Sequence, residues 1–293
     1  MTPDLPIQEA IPALIDALQT RGRAVLQAPP GAGKTTVVPL EMLRAGLTEG
    51  RILMLEPRRL AARAAAERMA QSLGEKPGET VGYRVRGEAR VGPKTRIEVV
   101  TEGILTRMIQ TDPELRGVGA VIFDEFHERS LNADLGLALC LEVAGALRED
   151  LILLVMSATL DAAPVARLMG DVPMITSEGR SYPVDIRWRD RPRPKTRRFE
   201  EALADLVSEA VAETMGGVLV FLPGEGEIRR VEALLRARLP VGCHLRPLFG
   251  AMEFAAQRAA IAPVTEGRKI VLATSIAETS LTIEDIRVVI DGG

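Results

Sequence analysis

Histidine, cysteine and aromatic residues are all scarce in this 293-residue chain, which holds two histidines, two cysteines, one tryptophan and an aromatic fraction of 3%. Cys140 and Cys243 both lie in apolar context with no CxxC spacing, which excludes a disulfide framework and a thiolate zinc site. No apolar run reaches the roughly 18 residues that a membrane-spanning helix needs. The start, MTPDLPIQEA, lacks the basic-then-apolar pattern of a signal peptide. A cytoplasmic protein with no membrane partner is the expectation. Neither sign of charge dominates: a net charge of −3 and a pI near 5.7 argue against a protein that coats nucleic acid indiscriminately. A local basic groove remains compatible, because net charge averages over faces. So few aromatics leave little for base stacking and favour contacts to a nucleic-acid backbone over aromatic platforms.

What the chain does have is alternation. A hydrophobic fraction of 46% with 26% charged residues is an ordinary globular composition, and the length admits two domains. Strand-like runs occur at RAVLQA (23–28), RILMLE (51–56), RIEVVT (96–101), AVIFDE (120–125) and LILLVMS (151–157). Amphipathic or Ala-rich stretches separate them, such as 57–73, which ends at Gly74 in the C′ position. Such alternation predicts βαβ units in a mainly parallel sheet, an α/β fold. Over 177–199 the pattern breaks. Between Arg187 and Arg198 stand seven basic residues, one acid and two prolines, which reads as an exposed, solvated connector. Alternation then resumes at GGVLVFLPG (216–224), CHLRPLFG (243–250), KIVLATS (269–275) and RVVIDGG (287–293). The expected organisation is a first α/β domain over 1–178, a linker over 179–198 and a second α/β domain over 199–293.

The turn after the first strand is APPGAGKTT, Ala28 to Thr36. In a strand–loop–helix of this type, the loop Pro30 to Thr36 cradles phosphates with its backbone N–H groups from Gly31 onward, Lys34 reaches the β/γ oxygens, and the Thr35 hydroxyl ligates Mg²⁺. The positive N-terminal end of the next helix adds to this. Ala28 stands where the general pattern opens with glycine, but Gly31 and Gly33, on either side of Ala32, keep the backbone approachable. The matching turn of the second domain, Pro223 to Glu227, has no lysine and two acids, and is not expected to bind phosphate. A phosphate loop needs an acidic site at a neighbouring strand end, and VIFDEFHERS (121–130) supplies it. Asp124 is placed for magnesium, and Glu125 for orienting or deprotonating the attacking water. The plainer alternative is that the two acids open the next helix.

With both motifs in hand, the chain resembles superfamily 2 helicases of the DEAH group. The resemblance runs from about Gln8 to the last residue. It rests on an ordered series: GAGKTT (31–36), EPRRLAARAAAERMA (56–70), TEG (101–103), DEFHERS (124–130), SAT (157–159), FLPGEGEI (221–228) and TSIAETSLTI (274–283). Phe126 replaces the alanine of the group's name, Ser275 stands where many relatives have asparagine, and Glu284 where many have aspartate. The resemblance implies two RecA-like domains of the P-loop NTPase type. It implies ATP and Mg²⁺ as cofactors and single-stranded nucleic acid, RNA before DNA, as partner.

Residue by residue, the resemblance makes Ser157 and Thr159 a link from the magnesium site to the interdomain cleft, where both equally suit a helix cap, a job that Asp161 could share. It has His127 sensing the γ-phosphate side, where a lone histidine otherwise reads as a structural hydrogen-bonding residue. It stacks Arg68 on adenine, and it assigns Arg58 or Arg59, Thr101 and Thr274 to sequence-independent backbone contacts. Thr101 equally suits a helix N-cap, and the two arginines could face solvent. Relatives continue beyond the equivalent of Gly293 with a QRxGRxGR-type motif, and no such motif occurs in residues 1–293. The resemblance therefore predicts an N-terminal fragment with an incomplete second domain, which hydrolyses ATP slowly.

Overall fold

The computed structural model describes residues 5–158, 162–179, 183–189, 196–278 and 283–292. The chain divides into two compact units, Met1–Tyr182 and Pro183–Gly293. The first opens with a 3-10 turn, Pro6–Ala10, and α1 (Ile11–Arg21). There follow β1 (Arg23–Gln27), α2 (Lys34–Arg44), β2 (Arg51–Glu56), α3 (Arg59–Ser72), β3 (Val81–Val85), β4 (Glu88–Arg90) and β5 (Ile97–Thr101). Then come α4 (Glu102–Thr111), β6 (Val118–Phe123), α5 (Leu131–Ala146), β7 (Ile152–Ser157), α6 (Ala163–Leu168) and β8 (Met174–Thr176). The eight strands form one sheet in the order β4-β3-β5-β2-β6-β7-β1-β8. Every pairing is parallel except that of β3 with β4.

Continuous apolar runs make these strands because both faces of the sheet are covered. Along β2, Ile52 and Met54 join the core under α1, α2 and α3, while Leu53 and Leu55 join the core under α4, α5 and α6. The same split runs down β7, with Leu154 and Met156 on one side and Leu153 and Val155 on the other. Helix α3 ends where the sequence indicates: Leu73 is its C-cap, and Gly74 follows at φ 73°.

The second unit contains α7 (Phe199–Glu213), β9 (Gly217–Phe221), α8 (Glu225–Arg236), β10 (Cys243–Leu248), α9 (Phe254–Ile261), β11 (Arg268–Ala273) and β12 (Ile286–Asp291). Its four strands pair in parallel, in the order β10-β11-β9-β12, around a separate core that includes Val207, Val218, Val231 and Leu272. Part of the Arg/Pro-rich stretch, 183–189, goes with this unit, because Arg187 and Arg189 reach Glu213 and Glu209 of α7 at 3.7 and 3.5 Å. Among the described residues, no helix is long and apolar enough to cross a membrane.

Candidate functional site

The loop between β1 and α2 passes over the carboxyl end of the sheet. Gly31 and Gly33 take φ of 78° and 96°, and a Cβ on Gly33 would come within 2.7 Å of Leu5 Cδ1. Both steric reasons require glycine there. The loop is backed by the N-terminal turn, through Ile7 N–H to the Ala32 carbonyl at 3.2 Å, and by β7, through Ala28 N–H to the Ser157 carbonyl at 3.0 Å. Among the described residues no side chain caps the start of α2, and the Thr36 N–H turns back to the Gly33 carbonyl at 3.2 Å, so the first-turn N–H groups of Lys34 and Thr35 are presented as an anion-binding end.

Strand β6 delivers the acids opposite. Thr35 Oγ1 donates to Asp124 Oδ2 at 2.6 Å, and Lys34 Nζ lies 3.1 Å from Glu125 Oε1. Glu125 Oε2 is 3.4 Å from His127 Nε2, and His127 Nδ1 accepts from the Ala158 N–H at 3.3 Å. Lys34, Asp124 and Glu125 are all buried. Burial, then the Glu125 charge, pushes the Asp124 carboxyl up to about 6, against the pull of Lys34 and the Thr35 hydroxyl. Asp124 Oδ1 also accepts the Glu125 N–H at 2.8 Å.

The pair does not open the next helix. Glu125 sits at φ 49° and Arg129 at φ 50°, bracketing a 3-10 turn, Phe126–Glu128. Helix α5 starts only at Leu131, capped by Ser130, whose hydroxyl accepts from the Ala133 N–H at 3.0 Å. A non-glycine residue at positive φ costs on the order of 1–3 kcal/mol and persists where the surroundings hold it.

The other sequence-predicted residues fall in two groups. Ser157, the last residue of β7, is buried and pairs in register with Gln27 beside the loop. The N-cap position of α6, which begins at Ala163, is held by Ala162. Thr159 and Asp161 lie outside the described residues. Thr101 ends β5 opposite Glu56 of β2 and occupies the N-cap position of α4, yet its side chain makes no capping bond. Arg58 follows the end of β2 and pairs with Glu128 at 3.6 Å. Arg59 is exposed. Arg68 lies in the second half of α3, also exposed. In the second unit, Thr274 heads a 3-10 turn, Ser275–Ala277, again without a side-chain capping bond. Part of the motif that follows it, 279–282, lies outside the described residues.

Two features escaped the sequence reading. Glu56, at the end of β2, is fully buried, and neither of its carboxyl oxygens meets hydrogen-bond geometry with a partner among the described residues. Burial first, then the charges of Asp124 and Glu125, hold its carboxyl well above the usual carboxylate range, with Lys34 opposing. Glu102 accepts the Ser130 hydroxyl at 2.5 Å, which ties α4 to the start of α5. Both residues stand inside motifs that the sequence shows, 56–70 and 101–103, but only the order of the strands brings Glu56 beside the acid pair and Glu102 to Ser130.

The donors suit a hard cation. Asp124 Oδ2 and Thr35 Oγ1 are adjacent oxygen donors, and no group of three or more His, Cys, Asp or Glu forms a metal site among the described residues. Magnesium is held in that way, by one or two carboxylates with waters and phosphate oxygens rather than a protein cage.

The chain matches known families and proteins along most of its length. Residues 6–168 match the family model of the DEAD/DEAH box helicases, and residues 200–293 match the helicase conserved C-terminal domain. The chain is 54% identical, over 98% of its length, to the ATP-dependent RNA helicase HrpB of Escherichia coli K12, and covers 35% of that protein. It is 36% identical to the ATP-dependent RNA helicase HrpA of the same organism, over 99% of this chain and 22% of that one. The crystal structure of E. coli DEAH/RHA helicase HrpB superposes with a TM-score of 0.92 at 53% identity, covering 98% of this chain and 37% of that chain. The chain thus spans about a third of the length of its HrpB relative.

Proposed function

Because the chain belongs to the DEAD/DEAH box helicases, we propose that it couples ATP hydrolysis to movement along single-stranded RNA. The observation that carries this reading is the meeting of Lys34 with Glu125 and of Thr35 with Asp124 across the ends of β1 and β6, at 3.1 and 2.6 Å. An arriving triphosphate draws Lys34 off Glu125 and onto the β/γ oxygens, and the freed carboxylate orients the water that attacks. Thr35 and Asp124 would hold magnesium, which would supply charge neutralisation on the phosphates. His127, fixed by the Ala158 N–H, keeps Glu125 aligned. The loop from Pro30 to Thr36 takes the phosphates through its backbone, and Arg68 stacks on the base.

RNA is the proposed strand because the relatives HrpB and HrpA carry RNA helicase in their names. Its backbone is taken by Arg58, Arg59 and Thr101 on the first unit and by Thr274 on the second, contacts that carry no sequence information. Ser157, and Thr159 beyond it, relay the state of the magnesium site. The test measures Mg·ATP affinity and the affinity for a uridine oligonucleotide, each with and without the other ligand, in the wild type and in Lys34→Ala. Linkage requires the two affinities to change reciprocally in the wild type. Full nucleotide affinity in a folded Lys34→Ala protein, or wild-type ligands that ignore each other, sinks the reading.

A further inference from the structure

We propose that the turn 124–130 is the device through which a bound strand acts on hydrolysis, with Glu102 and Glu128 as the positioning residues that transmit the signal. The inference rests on the strand contacts proposed above for Arg58 and Thr101.

The turn is unusual in being held from outside itself. Its two ends, Glu125 and Arg129, both sit at positive φ without being glycine, a conformation that survives only where neighbours impose it. Four anchors impose it. Phe126 is buried edge-on against Phe123, with ring centroids 6.1 Å apart, and Arg129 lies over the Phe126 ring while bonding both carboxylate oxygens of Asp134 at 3.1 Å. His127 takes the Ala158 N–H. Glu128 pairs with Arg58, ahead of α3. Ser130 gives its hydroxyl proton to Glu102, in the first turn of α4.

The last two anchors differ from the others in where they lead. Arg58 and Thr101, the neighbour of Glu102, stand at the ends of adjacent strands β2 and β5, the edge proposed to take the strand's phosphates. A phosphate arriving at Arg58 competes directly with Glu128 for the guanidinium. A phosphate settling on Thr101, the N-cap residue of α4, moves its neighbour Glu102, and with it the hydroxyl that caps α5. Both displacements act on the short peptide whose other end is Glu125, bonded back on itself by Glu128 N–H to the Glu125 carbonyl at 2.9 Å. The carboxylate of Glu125 faces Lys34 and His127, so a change in the turn is a change in the placing of the water-orienting group. The physical warrant is a single strained element that both ligands bias, rather than distance alone.

The experiment is hydrogen–deuterium exchange of the backbone over residues 122–135, with and without a saturating uridine oligonucleotide, on wild type, Glu102→Ala, Glu102→Gln and Glu128→Gln. RNA is expected to change exchange in this peptide in the wild type. Glu102→Ala is expected to lose that response while RNA affinity stays within about twofold, the usual margin for groups not in contact with the ligand. Glu102→Gln, whose amide oxygen still accepts from Ser130, keeps the response, and Glu128→Gln weakens it. The ratio of Mg·ADP affinities with and without RNA should follow the same order, from about fivefold in the wild type towards one in Glu102→Ala. A merely structural Glu102 would loosen the turn equally with and without RNA. That result, an unresponsive wild-type turn with RNA bound, or an undiminished response in Glu102→Ala each overturns the proposal. A wild-type protein that binds no RNA at all would instead overturn the strand contacts beneath it.

Discussion

Glu125 meets both a cation and an imidazole, at 3.1 Å from Lys34 and 3.4 Å from His127. Replacing it by glutamine keeps the shape and loses the base. In Glu125→Gln, Mg·ATP binding is expected to survive while hydrolysis falls by roughly 10²–10⁴, the usual worth of a positioned general base. Single-turnover hydrolysis beside a binding isotherm checks this, and wild-type turnover would remove Glu125 from the chemistry. Glu56 makes a different kind of prediction. Its folded-state carboxyl is raised above the unfolded value, chiefly by burial. A group raised in this way supports folding at low pH, and the support is lost as pH climbs through the folded value. Without magnesium, melting temperature should therefore fall as pH rises above the ordinary carboxylate range. Glu56→Gln should show a shallower fall, though not a flat one, because Asp124 is shifted in the same direction. An identical pH profile in the two proteins would mean that Glu56 is not buried beside the acid pair.

Elements differ in how plainly they announce themselves. Strands such as β2 and β7 were legible because the sheet is covered on both faces, so every position from Ile52 to Leu55 is apolar. The β3–β4 hairpin was not. Its VGYRV run is broken by Arg84 and by Gly82, whose missing Cβ makes room for the Arg90 carbonyl, 2.4 Å from where it would stand. Strands β4 and β8 have three residues each, too few for any period to show. The phosphate loop and the acid pair were readable because their chemistry is packed into contiguous residues. Glu56, and the bond from Ser130 to Glu102, were not, because only the sheet order makes them neighbours. Helix α5 carries a prediction of its own. Ser130 is its N-cap, so Ser130→Ala should lower unfolding free energy by about 0.5–2 kcal/mol. Denaturant titration followed by circular dichroism would register it, and an unchanged midpoint would show the cap to be idle.

Across the whole molecule, charge is used locally. The stretch from Arg187 to Arg198 reads in the sequence as a solvated connector, and among its described residues Arg187, Arg189 and Arg197 turn to Glu213, Glu209 and Asp205 of α7. Such exposed pairs are worth little individually, but they occupy charges that would otherwise face a nucleic acid. Between Arg187 and Arg189 stands Trp188, the sole tryptophan, at 87% exposure. This placement makes the protein an awkward subject for the commonest optical assay of folding. The native indole already sits in water, so its emission should have the colour of free tryptophan and should barely shift in denaturant. Acrylamide should quench it equally well before and after unfolding, and a blue-shifted native spectrum would show the ring to be covered. The same placement is useful in another way: a solitary indole, excited apart from the two tyrosines, stands at the start of the second unit, ready to donate energy to an acceptor dye on a bound oligonucleotide with no label added to the protein.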